Sequence, residues 1–257
     1  MREALIGYTG FVGGNLLMQK PFSDLYASAN IANIRGQKFD RLVCAGVSAV
    51  KWWANENPAE DLAKIDDLIS HLSYVESDAF TLISTIDVFK NPCGATEDRV
   101  PDKAGLNAYG TNRLYFESFV RTRFPHASIV RLPALFGDNL RKNALYDLIN
   151  RHRTININPR SAFQWYPLER LARDLDIVEK QNLQLVHFAT EPVTMKALIE
   201  RFFPDAEVAP ETAGAPVYDF RTKYAGVFGA EVPYILRQEE IFAAMARMIA
   251  KVSAGAL

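Results

Sequence analysis

The stretch Ala4-Leu-Ile-Gly7-Tyr-Thr-Gly10-Phe-Val-Gly13-Gly14-Asn-Leu-Leu constrains the fold more than any other part of the chain. A short apolar run breaks into glycines spaced three apart and resumes as an apolar segment, which predicts a strand, a tight turn and a helix. Gly7 lets the chain turn sharply, Gly10 leaves the backbone bare where a pyrophosphate approaches, and Gly13 lets the helix pack close to the strand. The first N–H groups of that helix lack intrahelical partners and face an anion. Thr9, Phe11 and Val12 lie within the same turn and are expected to share the contact. Glycine-rich turns also join strands to helices without any ligand, so the motif alone leaves both readings open. Its position, directly after the first strand and opening a helix, favours the binding one.

A chain of 257 residues, 49% hydrophobic and 23% charged, can bury a substantial core in one α/β domain with at most a small appendage. The formal net charge is -1, with no long run of one sign, so neither nucleic acid nor an anionic membrane is indicated as partner. The sequence shows no charged leader with an apolar core and no apolar run near the length of a membrane span, and a cytoplasmic location is the expectation. Two cysteines, Cys44 and Cys93, are too few for a disulfide framework or a zinc site. His71, His126, His152 and His187 show no ligand spacing, so no metal is expected.

Along the chain, Pro21 stops the first helix and Leu25–Asn30 reads as a second strand. A dinucleotide fold usually places a carboxylate about 20 residues past the glycines when the ribose carries a free 2′-hydroxyl. Here Asn30 holds that neighbourhood, no carboxylate lies between Ser28 and Gly36, and Arg35 is placed to meet a 2′-phosphate or else is a solvated loop residue. The balance tilts towards NADP over NAD. Asp40–Gly46 reads as a buried strand whose end, Ala45 and Gly46, is small enough for a cofactor to lie against it. The segment Val47–Pro58, with Lys51, Trp52 and Trp53, is expected to be a loop whose tryptophans pack, line a binding mouth or meet a second subunit. Apolar residues at helical spacing predict an amphipathic helix over Pro58–Tyr74.

Ala79–Phe89 reads as a strand that ends in Ser84, Thr85 and Asp87, hydroxyls and a carboxylate where a doubly wound sheet opens its ligand crevice. Leu106–Val120 reads as a helix carrying Tyr109 and Arg113 at i and i+4, on one face. A cation beside a tyrosine favours the phenolate, so a lowered phenol pKa suited to proton transfer is expected; a surface cation packed on a ring gives the same spacing.

Gly7-x-x-Gly10-x-x-Gly13, the strand end Ser84-Thr85-Ile-Asp-Val-Phe, Tyr109-x-x-x-Arg113 and Ile129-Val-Arg131-Leu-Pro133-Ala-Leu-Phe-Gly137 together resemble the extended short-chain dehydrogenase/reductase family. The likeness is to its branch of NAD(P)-dependent sugar-nucleotide epimerases, dehydratases and reductases, and it spans about the first 140 residues. It implies a Rossmann-like doubly wound parallel sheet with a small C-terminal substrate-binding subdomain, and an enzyme that transfers hydride on a sugar nucleotide or related polyol. By the same resemblance Thr85 holds the substrate oxygen, Tyr109 is the acid/base, Arg113 holds the nicotinamide ribose, and Pro133 borders the cofactor. The expected boundaries are 1–137 with about 166–190 for the NAD(P)-binding part, and about 138–165 with 191–257 for the substrate part. A homodimer through the Pro58–Tyr74 and Leu106–Val120 helices is expected.

Two departures from the family pattern bear on chemistry. Arg113 replaces the family's lysine, an exchange that keeps the charge and changes the donor geometry; a non-catalytic NAD(P)-binding sensor or scaffold is the alternative it leaves open. Ile86-Asp87 replaces the acid pair of the dehydratases, which disfavours dehydration and leaves Asp87 as a base for epimerisation or as a cap on the following turn. The chain also lacks a full strand-helix unit between Asn30 and Asp40. In the later half, Arg141, Lys142 and Asn143 suit a diphosphate or form a solvated loop, and Gln164 and Tyr166 alternate with Phe163 and Trp165, so that one pair faces substrate. A loop over Glu207–Val217 and a closing amphipathic helix over Tyr234–Val252 complete the reading.

Overall fold

The computed structural model describes residues 1–254. In chain order its elements are β1 (Glu3–Ile6), α1 (Phe11–Gln19), β2 (Asp24–Tyr26), β3 (Lys38–Cys44), α2 (Lys51–Glu56), α3 (Pro58–Leu72), β4 (Glu76–Thr85), α4 (Ala108–Arg123), β5 (Ser128–Leu132) and β6 (Ala134–Phe136). There follow α5 (Ala144–Ile149), β7 (Ala162–Phe163), β8 (Trp165–Pro167), α6 (Leu171–Lys180), β9 (Leu185–His187), β10 (Val193–Thr194), α7 (Met195–Phe202) and α8 (Gln238–Ser253). Among the described residues no helix is long and apolar enough to cross a membrane.

The chain divides into two compact units, the first comprising Met1–Asn91, Glu97–Leu132 and Leu171–His187. Its six strands form one parallel sheet in the order β2-β1-β3-β4-β5-β9. A parallel sheet is covered on both faces, and the inner stretches Ala4–Ile6 of β1, Leu42–Cys44 of β3 and Ile129–Val130 of β5 are accordingly apolar and buried. Ala4, Ile6, Leu42, Cys44, Phe80 and Leu82 join Ile65 and Leu68 of α3 and Phe116 and Val120 of α4 in one core cluster. The period of two sends Leu5 and Val43 to the opposite face, and α1 packs there with α6.

The usual doubly wound order is 3-2-1-4-5-6. Here the outermost strand is absent, and β2 itself is the edge. Residues 27–37 cross straight from β2 over to β3 with only a 3-10 turn, Ile31–Ile34, whose two isoleucines are buried in the core cluster. The strand-helix unit missing from the sequence is therefore missing from the sheet.

Two local expectations are corrected. The second strand stops at Tyr26, because the Asn30 side chain closes a turn, accepting from Ala27 N at 2.7 Å and donating to the Leu25 carbonyl at 2.9 Å. The segment around the paired tryptophans contains helix α2, not a continuous loop. Of the tryptophans, Trp52 is exposed, whereas Trp53 is partly covered with the Lys64 ammonium 3.8 Å from its ring centre.

The second unit comprises Pro92–Thr96, Pro133–Arg170 and Phe188–Leu257. It holds two small sheets, β6 with β8 in parallel and β7 with β10 antiparallel. Helices α5, α7 and α8 belong to it, and residues 207–216 carry no helix or strand. Its centre is aromatic: Tyr166 packs on Phe188, Phe188 on Phe228, and Phe202 on Phe242.

Candidate active site

The carboxyl ends of β1, β3 and β4 in the first unit carry most of the predicted residues. Gly7 ends β1 with φ +87°, a conformation that favours glycine, and a Cβ there would lie 2.6 Å from the Ala45 carbonyl carbon. At Gly13 a Cβ would lie 2.7 Å from the Gly7 carbonyl carbon. Both glycines are thus demanded by the fold. Gly10 is different: its backbone is extended, and an added Cβ would meet only the Gly7 carbonyl oxygen at 3.3 Å. Nothing in the folded chain needs a glycine at this position, which leaves the surface free for a ligand's close approach.

Gly10 is also the N-cap of α1, with no side-chain cap and no acid in the first turn. The exposed Thr9 and Gly10, followed by the part-buried Phe11 and Val12, surround this uncapped end. Uncapped N–H groups and the positive end of the helix suit an anionic diphosphate, so the turn fits a dinucleotide. Ala45 and Gly46 lie beside it at the end of β3, where a Cβ on Gly46 would fall 2.7 Å from the Ile6 side chain.

Arg35 is elsewhere, and its expected role is corrected. Gly36 N donates to the Tyr74 carbonyl at 2.9 Å, and Glu76 N donates to Gln37, so Arg35 stands where β3 and β4 begin. Its guanidinium donates to His71 Nδ1 at 2.9 Å and to Ser70 Oγ at 3.3 Å, and lies 5.5 Å from the Tyr74 ring centre. The glycine turn is at the opposite, carboxyl ends of the strands. Asn30 remains near the end of β2, its side-chain amide engaged in its own turn.

Thr85 closes β4, and its hydroxyl accepts from Asp87 N at 3.1 Å, starting the 3-10 turn Ile86–Val88. Helix α4 begins against this turn. Asn107 caps it by accepting from Gly110 N at 2.9 Å, and a Cβ on Gly110 would overlap the Asp87 carbonyl oxygen. Tyr109 thereby stands in the first turn of α4 against this turn, and the Thr85 hydroxyl acts on its phenol in favour of the phenolate. Its backbone N–H donates to Asn55 Oδ1 at 3.0 Å, tying α2 to α4.

Arg113 lies one turn along, with its guanidinium carbon 4.0 Å from the Tyr109 ring centre. One arm of its fork pairs with Asp61 and the other donates to the Ser48 carbonyl. Asn112 donates to the same Asp61 carboxylate at 2.8 Å. Asp61 sits in the first turn of α3, where the helix dipole also favours a carboxylate. A lysine ammonium is a point donor; the planar arginine fork serves two acceptors on different elements at once.

Burial pushes the Tyr109 phenol above its ordinary pKa. The Arg113 guanidinium opposes this, the Asp87 carboxylate adds to it, and the Thr85 hydroxyl and the Lys51 ammonium oppose it more weakly. Arg113 favours the phenolate as expected, but desolvation outweighs it, so the lowered pKa expected from the spacing is corrected to a raised one. Asp87 is also less available than expected, because Lys51 Nζ donates to its Oδ1 at 2.8 Å. Below the site, Glu117 is fully buried and takes two bonds from Arg131, at 3.0 and 2.7 Å, and one from Ser84 at 2.6 Å.

Lys51, Asp61 and Asn112 escaped the sequence reading. Lys51 lay in a segment taken as loop, and Asp61 reads as an ordinary first-turn acid. Only the Arg113 departure pointed to either, since a buried arginine needs a counter-charge.

In the second unit three expected substrate contacts are corrected. Gln164 is buried, donates to the carbonyls of Thr190 at 2.6 Å and Phe220 at 2.7 Å, and accepts from Phe220 N at 2.8 Å. Tyr166 is fully buried within the aromatic centre. Asn143 caps α5, accepting from Tyr146 N at 3.0 Å and donating to the Leu135 carbonyl at 2.9 Å. Arg141 and Lys142 are exposed, and Pro133 is half-buried after β5.

No family profile and no curated protein matches the sequence. Solved structures do match. A dTDP-4-dehydrorhamnose reductase from Clostridium acetobutylicum superposes with a TM-score of 0.74 at 17% identity, covering 97% of this chain and 100% of its own. The same enzyme from Bacillus anthracis, in complex with NADP, gives 0.75 at 16% identity over 97% and 98% of the two chains. The chain has the fold of these extended short-chain dehydrogenase-type enzymes. A UDP-glucose 4-epimerase from Thermotoga maritima, with UDP-glucose, gives 0.67 at 13% identity over 88% and 91%. The fold is thus one whose solved members include NAD(P)-dependent sugar-nucleotide reductases, epimerases and dehydratases.

Proposed function

We propose that the protein is an NAD(P)H-dependent reductase of a keto group on a sugar nucleotide. The observation that carries this reading is the buried Tyr109 phenol beside Thr85, held in its protonated form by burial. A protonated phenol gives its proton to the oxygen of a carbonyl under reduction. Reduction of a carbonyl needs that acid, whereas an oxidation that begins an epimerase cycle needs the phenolate.

The glycine turn and the start of α1 hold the dinucleotide pyrophosphate, Ala45, Gly46 and Pro133 border the remainder, and the reduced nicotinamide supplies the hydride when bound. Thr85 hydrogen-bonds the substrate oxygen, and Tyr109 passes it a proton from Oη. Arg113, fixed between Asp61 and Ser48, sets the position of the tyrosine ring. Asp87 holds the Lys51 ammonium, which supports reduction without epimerisation. The buried Ile86 stands where the dehydratases have the first acid of their pair, which argues against dehydration. The exposed cations Arg141 and Lys142 are proposed partners of the diphosphate. The two terminal nitrogens of Arg113 are built into neighbouring elements, through Asp61 and the Ser48 carbonyl, which supports a working site over a decayed one.

The preference between NADP and NAD rests on the absence of a carboxylate near Asn30, now without help from Arg35. A homodimer through α3 and α4 belongs to the same proposal; Tyr115 there is 44% exposed and donates to Asp66 at 3.0 Å. Sedimentation at micromolar concentration tests it. The function is tested by following NADPH and NADH absorbance with a panel of nucleoside-diphosphate keto sugars. Steady oxidation with at least one, abolished in Tyr109→Phe, is expected; tight cofactor binding with no consumption across the panel would refute the reading.

A further inference from the structure

Glu117, Arg131 and His187 form a polar centre in the interior of the first unit, and the chemistry proposed above uses none of them. Ser84, Arg131 and His187 lie side by side on β4, β5 and β9, paired in register across the three strands. Their side chains therefore share one face of the sheet, and Glu117 of α4 meets them there. The Glu117 carboxylate accepts from Arg131 Nε at 3.0 Å, from Arg131 Nη2 at 2.7 Å and from Ser84 Oγ at 2.6 Å. Arg121, one turn along the helix, reaches it at 3.4 Å. Arg131 Nη1 lies 3.4 Å from His187 Nε2, and the Arg131 guanidinium carbon lies 5.2 Å from the Phe89 ring centre.

As a source of stability such a pair is a poor choice. Glu117 is 0% exposed and Arg131 1%, so both charges have lost their water, and apolar side chains of like volume often serve stability as well or better. A bidentate ion pair supplies what an apolar contact does not, a fixed geometry in which each oxygen is aimed at its donor.

The elements joined here are those that carry the reacting groups. Ser84 precedes Thr85 in β4, and Phe89 ends the turn that holds Asp87. Glu117 lies eight residues beyond Tyr109 on α4, about 12 Å along the axis at about 1.5 Å per residue. The Asn55 and Asp61 contacts tie α4 to α2 and α3, whereas the Ser84 bond ties it to the strand that ends in Thr85. A helix is stiff over two turns, so a shift at Glu117 arrives at Tyr109.

We propose that Glu117, clamped by Arg131 and bonded to Ser84, is a positioning residue that sets Tyr109 against Thr85 for proton transfer. No bond is made or broken at Glu117 itself. The inference rests on the reductase reading above.

The test begins with Ser84→Ala, which removes the strand-to-helix bond and leaves the Glu117–Arg131 pair, and with Ser84→Thr, which keeps the hydroxyl. NADPH oxidation is followed with a nucleoside-diphosphate keto sugar. Misplacing reacting groups by about 1 Å costs about 10²-fold in rate, so Ser84→Ala is expected to lower kcat at least about tenfold, with KM and NADPH affinity within about threefold of wild type. Ser84→Thr is expected to recover most of the wild-type kcat. Glu117→Leu with Arg131→Met should melt at or above the wild-type temperature and show the same loss of kcat; the Ser84 variants decide the matter if this double variant does not fold. A second measurement needs neither cofactor nor substrate. In protein carrying 3-fluorotyrosine, the ¹⁹F resonance of Tyr109, assigned by its loss in Tyr109→Phe, should move in Ser84→Ala and return in Ser84→Thr. A resonance that stays in place in folded Ser84→Ala overturns the inference, as does an unchanged kcat, or a fall in NADPH affinity as large as the fall in kcat. Should the wild type reduce no keto sugar, the reductase reading fails, and the fluorine resonances alone decide whether Glu117 positions Tyr109.

Discussion

Removing Asp61 probes whether Arg113 is built into this protein or tolerated by it. The two side chains are 3% and 5% exposed, so each charge depends on the other for solvation. Taking away one partner of such a pair costs about 3–5 kcal/mol, because it strands the second charge in the interior. Asp61→Leu strands the guanidinium with only the Ser48 carbonyl, and also leaves the Asn112 amide without its carboxylate. The upper half of the range, about 4–5 kcal/mol, is expected. At about 2–4 °C per kcal/mol for a chain of this size, the melting temperature should fall by about 10–20 °C. Replacing both partners by apolar groups of similar volume is often neutral. Asp61→Leu with Arg113→Met should therefore recover most of the loss. Urea unfolding followed by tryptophan fluorescence on wild type, both single variants and the double variant gives the coupling energy. Costs below about 1 kcal/mol for Asp61→Leu, or a double variant as weak as the sum of the singles, would refute the argument.

Other substitutions separate fold from ligand. Gly10→Val should stay folded, because its extended backbone accepts a branched residue, yet lose at least about 100-fold in dinucleotide affinity by calorimetry; Gly13→Val should not fold at all. Arg35→Ala should leave the ratio of NADP to NAD affinity within about twofold of wild type, and a selective loss of NADP binding would restore the role first expected for it. Tyr109→Phe should lower kcat by about 10²–10⁴-fold with cofactor affinity little changed. Burial pushes the Cys44 thiol up to about 12 from an ordinary 9.0. The unfolded thiol ionises first, so stability is full below pH 9 and is lost as pH rises towards 12, by about 1.4 kcal/mol at pH 10. Cys44→Ala should remove that slope in alkaline urea titrations.

The parts of this protein that were legible in its sequence are those whose cause is local. A glycine that must turn or be approached announces itself by type, and Gly7 and Gly13 did. Strand and helix positions followed from periodicity, and the missing unit after Asn30 followed from length alone. The corrected residues share one physical reason: a polar side chain reads the same whether it faces a ligand or satisfies its own backbone. Gln164, Asn143 and Asn30 each bond main-chain groups, and Arg35 bonds α3, for which nothing in their immediate sequence speaks.

The electrostatics of the site were the least legible, and they matter most for the chemistry. From the spacing of Tyr109 and Arg113 alone, the cation dominates and the phenolate is favoured. Tertiary folding adds Asp61 from α3, Asp87 from the turn after β4 and Lys51 from α2, each from a different segment. Arg113 and Lys51 then draw the phenol towards the phenolate, Asp87 opposes them, and desolvation is the largest influence on its state. The phenol is thereby held protonated, the state that the proposed reduction requires. An arginine that does not release its proton cannot serve as the family's lysine does. Its guanidinium, held by Asp61 and the Ser48 carbonyl, lies with its carbon 4.0 Å from the Tyr109 ring centre, and so backs the tyrosine ring.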